Sequence, residues 1–275
     1  GDLNLADLYP ALPMPDLFAG TQLTLVGRYR GEAENISFTL RGQVNGQEQT
    51  FVYSGLNFPA RAGGEPFIAR LWATRRIGDL LNTVRLNGEN PELVDSIVRL
   101  SVRYGIITPY TSFLITEDDI LTAGGLDRAQ EAFAQQAQTL SSTTSGSGAV
   151  AAADMNAEMA AANAPAPAMM STMMPTMSPA GTMAAPGDAM ETDGSVFYNP
   201  TNPIQTVNDK TFLLQNGVWT DTIFQPDTMQ TEKVVFLSDA YFELLEAHPE
   251  LGDYFALGDQ VIVVLDGTAY EVTPM

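Results

Sequence analysis

Ile36-Ser37-Phe38-Thr39-Leu40-Arg41, then Asn45-Gly46, then Phe51-Val52-Tyr53: apolar and polar residues alternate around a dipeptide that tolerates positive φ at both positions. Alternation puts Ile36, Phe38 and Leu40 on one face of an extended chain, and Asn-Gly is a preferred centre of a type I′ turn. The stretch predicts a β-hairpin. Upstream, Gln22-Leu23-Thr24-Leu25-Val26-Gly27-Arg28-Tyr29 reads as a further strand, preceded by a segment with Pro10, Pro13 and Pro15 that should run extended across a surface or form a linker. Three strands are too few to make a sandwich alone.

Downstream the period changes. Phe67 with Leu71, Ile68 with Trp72, then Ile77, Leu80, Leu81 and Val84 recur at helical spacing from Pro66 to Leu86, and Asn87-Gly88 ends the run with a left-handed cap. Asn90-Pro91-Glu92 opens a second helix, with a capping side chain, a proline at the first helical position and an acid near the positive end of the dipole. Leu93, Ile97, Leu100 and Tyr104 form its expected stripe. The short join implies an antiparallel helical hairpin, stopped at Gly105. Ile106 to Thr116 is expected to return to extended structure, and a short helix is expected from Asp127 to Leu140.

Residues 141–195 hold 9 of the 12 methionines in an Ala, Ser, Thr, Pro and Gly background, and read as a low-complexity linker with a helix allowed near Ala149 to Ala162. Strands return at Lys210 to Leu214, Gly217 to Thr222 and Glu232 to Phe236, and at Gln260 to Leu265 paired with Thr268 to Thr273. Asn216-Gly217 and Asp266-Gly267 supply turns, and Ser238 caps a helix to about Ala247. The fold class is therefore α+β. The expected divisions are 1–126, a β and helical-hairpin region; 127–195, a short helix and Ala/Met/Ser/Pro linker; and 196–275, a small α+β domain.

Charge excludes one class of partner. Residues 1–128 carry 11 basic and 15 acidic residues, 11 − 15 = −4, and the remainder carries 2 − 18 = −16 of the net −20. Such a surface repels phosphate backbones, so nucleic acid is not expected. No window is long and apolar enough to span a bilayer, and no transmembrane segment is expected. The absence of cysteine removes disulfides, thiolate metal sites and cysteine nucleophiles together.

Catalysis is sparsely provided for. The single histidine, His248 in Ala247-His248-Pro249, sits where a helix ends, and a contact with the helix dipole accounts for it. No nucleophile elbow, phosphate loop or zinc helix is present. Glu117-Asp118-Asp119 and the scattered Asp2, Asp7 and Asp16 read as solvated acidic loops, with weak calcium binding as the alternative. Arg70, Arg75 and Arg76 read as arginines paired with acids such as Asp79, their stems over apolar neighbours, or else as a partner-binding patch. Methionine-rich residues could ligate soft copper, but an unpatterned tract reads as linker. Trp219 and Tyr270 are candidates for exposed binding aromatics, with Trp219 in a core as the competing reading; Asp221, Asp239 and Glu243 are the carboxylates an acid-type hydrolase would need. Nothing in that spacing favours catalysis, so a non-enzymatic role is expected, with no catalytic, cofactor-binding or metal-ligating residue in this chain.

The order of these motifs carries a resemblance. Asp7-Leu8-Tyr9-Pro10, Leu17-Phe18-Ala19-Gly20-Thr21-Gln22-Leu23, Gly27-Arg28-Tyr29, Arg70-Leu71-Trp72-Ala73 and Leu100 to Ser112 together resemble the region that follows the von Willebrand factor A (vWA) domain in the inter-alpha-trypsin inhibitor heavy chains and their bacterial relatives. The similarity covers roughly residues 7–117, and residues 196–275 resemble a module of bacterial members. The resemblance implies upstream VIT and vWA domains, with magnesium or calcium held in the latter. It also implies a secreted or cell-surface protein with an adhesion or scaffold role and an extracellular protein or glycan ligand. The alternative is that residues 196–275 are themselves a protein- or carbohydrate-binding domain. The motif through which the animal heavy chains are coupled to hyaluronan is missing.

Overall fold

Helix formation in the first half follows its capping chemistry. In the computed structural model, residues 3–11, 14–18, 20–60, 65, 67–88, 90–108, 110–111, 119–141, 147–165 and 203–275 are described. Helix α1 (Phe67–Asn87) closes on Gly88, at φ +85, whose N–H donates to the Val84 carbonyl at 2.9 Å. Helix α2 (Pro91–Tyr104) starts as its sequence predicts, with Asn90 Oδ1 accepting the Leu93 N–H at 2.9 Å. Helix α3 (Ala123–Ser141) is capped by Thr122, whose Oγ1 accepts the Gly125 N–H at 2.9 Å. Helix α4 (Ser147–Ala160) is the helix allowed within the low-complexity stretch. Most of the rest of that stretch lies outside the described residues.

The architecture is α+β and divides into two compact units, one of Gly1–Tyr104 with Gln130–Ala166 and one of Gly105–Ala129 with Pro167–Met275. In the first unit, α1 packs against α2, α4 and a two-stranded antiparallel sheet of β1 (Asn4–Tyr9) and β2 (Val26–Arg30). Strand β1 lies ahead of the proline-containing segment, where no element was expected; Asn4, Leu5, Ala6 and Tyr9 pair with β2 across about twenty intervening residues, a non-local contact that local pattern does not encode. The core holds Leu71, Trp72, Ile77, Leu80, Leu81, Ile97 and Val98. Gly78 lets α4 approach α1 closely, since a Cβ there would meet the Ala160 nitrogen at 2.5 Å and the Asn156 carbonyl oxygen at 2.8 Å.

The expected stripe of α1 holds at Leu71, Trp72, Ile77, Leu80, Leu81 and Val84, all buried, and fails only in the first turn; that of α2 is rotated. Phe67 and Ile68 are exposed in the first turn of α1, while Arg70, Thr74 and Arg75 are buried, because the helix is covered on several sides; Thr74 and Arg75 donate there to backbone carbonyls. On α2 the buried set is Val94, Ile97, Val98, Ser101 and Val102, with Leu93, Leu100 and Tyr104 half-buried. The expected strand after Gly105 is also corrected. Its described part is a turn in which Thr108 N–H donates to Thr111 Oγ1 at 2.8 Å and Thr111 N–H to the Thr108 carbonyl at 3.0 Å. Pro109 and residues 112–116 lie outside the described residues.

The hairpin that opened the sequence is strands β3 (Ala33–Val44) and β4 (Gln47–Phe58), joined through Asn45 at φ 53 and Gly46 at φ 78. It pairs with no other strand among the described residues. At its base, Phe58 meets Tyr29 edge-on with 5.1 Å between ring centroids, and Tyr29 Oη donates to the Pro59 carbonyl at 2.9 Å.

The second unit is built on a six-stranded sheet in the order β5-β6-β7-β9-β10-β8. Strands β5 (Ile204–Val207), β6 (Lys210–Gln215) and β7 (Val218–Asp221) form an antiparallel meander. Strand β8 (Thr231–Val235) then leads through α5 (Asp239–Ala247) and α6 (Leu251–Phe255) to the hairpin of β9 (Val261–Leu265) and β10 (Thr268–Thr273). The β7–β9 and β10–β8 pairs are parallel, as crossovers require. Phe212, Trp219, Tyr241, Leu251, Tyr254, Phe255, Val261 and Val263 form its main core, and Phe224, Val264 and Ala269 a smaller cluster.

Candidate functional site

The three arginines of α1 do different work. Arg75 is buried, and its Nη1 donates to the carbonyls of Tyr9 at 2.9 Å and Thr24 at 2.5 Å, its Nε to the Ala162 carbonyl at 2.7 Å, and its Nη2 to Asn163 Oδ1 at 3.3 Å. Burial lowers the pKa of both Arg75 and Arg70. Arg76 donates to Tyr9 Oη at 2.6 Å and lies 3.8 Å from the Asp7 carboxylate. Acid pairing was expected with neighbours such as Asp79; the ion pair forms with Asp7 of β1, and the dominant contacts of Arg75 are carbonyls. Burial pushes the Tyr9 phenol above its ordinary value although Arg76 pulls it down. These contacts brace β1 and the chain entering β2 against α1.

Beside this seam is a cleft of about 190 Å³ lined by Asn4, Ala6, Asp7, Arg28, Tyr29 and Arg30. Its wall is a β-bulge between Ala6 and Tyr9, with Asp7 at φ 49, and Trp72 Nε1 donates to the Asp7 carbonyl at 3.0 Å. The Arg28 guanidinium lies 5.2 Å from the centre of the Trp72 ring. Sequence reading placed Arg28 in a strand and gave neither Arg28 nor Arg30 a binding role. Their spacing by two on a strand, which directs both to one face, was the available signal.

In the second unit the proposed hydrolase carboxylates are not assembled. Asp221 is fully buried and pairs with Lys210 at 2.9 Å, while also accepting the N–H groups of Ile223 at 3.0 Å and Val264 at 3.2 Å. Asp239 and Glu243 are exposed on α5. Lys210 Nζ lies 5.8 Å from the centre of the Tyr254 ring, and Tyr254 Oη donates to Asp209 Oδ1 at 2.9 Å. Burial, then that hydrogen bond, raises the Tyr254 pKa far above the ordinary phenol range. Every polar contact of Asp221 is used in holding β6, β7 and β9 together.

The remaining candidates resolve individually. His248 is the C-cap of α5, its N–H donating to the Leu244 carbonyl at 2.9 Å, with its ring 5.9 Å from that of Tyr270. Trp219 is buried in the core, which takes it out of any exposed aromatic platform; Tyr270 is half-buried. Asp119 pairs with Arg128, which holds its carboxyl below the usual aspartate value. Asp16 is exposed; Asp2, Glu117 and Asp118 lie outside the described residues. Met155 and Met159 belong to α4, and the methionines from 169 to 190 lie outside the described residues. Among the described residues no group of His, Cys, Asp and Glu is placed to hold a metal, and no helix is long and apolar enough to cross a membrane.

The β3–β4 ribbon presents exposed apolar side chains. Its register opposes Ile36 to Leu56, Phe38 to Tyr53, Leu40 to Phe51 and Val44 to Gln47, so seven apolar side chains share one face. Phe51, Tyr53 and Val44 are 47 %, 56 % and 52 % exposed, respectively, in strands twelve residues long. Isolated two-stranded ribbons are marginal in water and need a covered face. Comparison with family models, curated proteins and solved structures finds no match for this chain.

Proposed function

We propose that this chain is a non-enzymatic structural and adhesion module, secreted or at a cell surface, that supports an upstream metal-dependent vWA-type ligand-binding domain. The carrying observation is the β3–β4 ribbon: an apolar face about 27 Å long, from Ile36 to Val44, on which Val44, Phe51, Tyr53 and Leu56 stay exposed, and whose outer edges pair with no strand among the described residues. A surface of this kind fits a sheet supplied by a neighbouring domain. The braced seam of Arg75 and Arg76 fits a module that transmits load between domains, and the ionisable groups buried in the second unit are consumed in structure. Magnesium or calcium and the extracellular protein or glycan ligand belong, on this reading, to the neighbouring vWA domain.

The test is the intact mass and N-terminal sequence of the natural protein from its source, followed by ligand binding with and without EDTA. The reading requires a vWA domain ahead of Gly1 and binding that EDTA abolishes while deletion of residues 196–275 spares it. A natural protein without such a domain, or binding that depends on residues 196–275, overturns it.

A further inference from the structure

The cleft on β1 and β2 carries a charge surplus that the first unit does not use. Of the charged groups lining it, Asp7 is held by Arg76, whereas Arg28 and Arg30 have no carboxylate partner among the described residues. Both are exposed, two positions apart on β2, opposite Ala6 and Asn4 of β1, so their side chains leave the same face from Cα atoms about 7 Å apart. Arg28 is positioned by the Trp72 ring beneath it, and Trp72 is buried and anchored through its indole N–H, so one fork is set before any ligand arrives.

Alternate residues of an extended peptide repeat at the same spacing as alternate residues of a strand. We infer that this cleft binds an acidic peptide segment in extended conformation, with side-chain carboxylates at alternate positions taken by Arg28 and Arg30. Guanidinium forks match carboxylates in paired hydrogen bonds, and the Asn4 amide at the margin offers a further donor. A polyphosphate would bring a continuous line of charge against residues 1–128, whose net charge is already −4; two isolated carboxylates bring only what two arginines neutralise. The inference stands apart from the vWA reading, because it uses only groups of this unit.

The experiment is fluorescence anisotropy of the full chain with a labelled synthetic peptide whose only two glutamates stand at alternate positions among threonines. Expected is saturable binding that weakens as salt is raised and falls roughly tenfold or more in R28A/R30A, with R28K/R30K between the two because lysine keeps charge but loses the fork. R41A, an exposed arginine on the ribbon, should bind like the parent chain. Both cleft substitutions are at exposed positions, so circular dichroism should stay unchanged and the urea midpoint should fall only by the loss of the Arg28–Trp72 contact. No binding by the parent chain, equal binding by R28A/R30A, or displacement by free glutarate at the peptide's own concentration overturns the assignment to an extended acidic peptide.

Discussion

The β9–β10 hairpin and the β3–β4 hairpin are built from the same sequence grammar and meet opposite surroundings. Each turns through a positive-φ pair, Asp266-Gly267 in one and Asn45-Gly46 in the other, and each strings apolar residues along its strands. Val261 and Val263 are fully buried, because β7 and β8 flank the hairpin and α5 and α6 pack with it in one core. Phe51 and Tyr53 remain about half exposed, because no further strand among the described residues pairs with β3 or β4. Alternation thus settles which face of a strand is apolar; coverage is decided by segments elsewhere.

The contrast can be broken most severely in the second unit. Asp221→Ala leaves Lys210 buried without its counter-ion and should cost about 3–5 kcal/mol in urea unfolding, whereas Lys210→Met with Asp221→Leu should recover only part of that loss, because the Ile223 and Val264 N–H groups stay without their acceptor. A single-mutant loss below about 1 kcal/mol would mean that water reaches the pair. In the first unit, Gly78→Val forces α4 away from α1 and should cost about 1–3 kcal/mol, read from the thermal midpoint.

A pH series sharpens the comparison further. The Tyr254 phenol is raised in the folded protein, so the neutral form is favoured there; its contribution is complete below the unfolded value of 10.0 and is lost as pH climbs beyond it. Tyr254→Phe should flatten the alkaline decline in stability, with a residual slope from Tyr9 and Tyr241, which burial also raises. The smallest effect belongs to the ribbon. Phe51→Ser or Tyr53→Ser should move stability by no more than about 0.5 kcal/mol, since each side chain is already largely in water, while reducing fluorescence of the hydrophobic dye ANS. A loss above about 2 kcal/mol would show that the face is buried in solution.

Local chemistry was legible and non-local chemistry was not. The Asn45-Gly46, Asn216-Gly217 and Asp266-Gly267 turns, the Asn90 cap and the Ser238 cap, whose Oγ accepts the Tyr241 N–H at 3.3 Å, were all readable because each is decided within a few residues. Burial of Arg70 and Arg75 was not, since the acceptors of Arg75 come from Tyr9, Thr24 and Ala162, 51 to 87 positions away. Strand β1 escaped for the same reason. The Arg28 and Arg30 pair was visible as a spacing, but only the Trp72 ring and the Asp7 bulge turn it into a cleft.

The ribbon is regular at its tip and irregular at its base, where the register shifts near Asn35, at φ 55, and Gly55, at φ 79. Bulges bend a strand and interrupt its ladder, so the basal part offers a poor template for another chain. The tip, from Thr39 to Val44 and Gln47 to Val52, keeps uninterrupted pairing and an apolar face. If unprotected copies of this protein assemble into fibres, growth begins at that tip, and a lysine on the outer face there would be the most economical solubilising change.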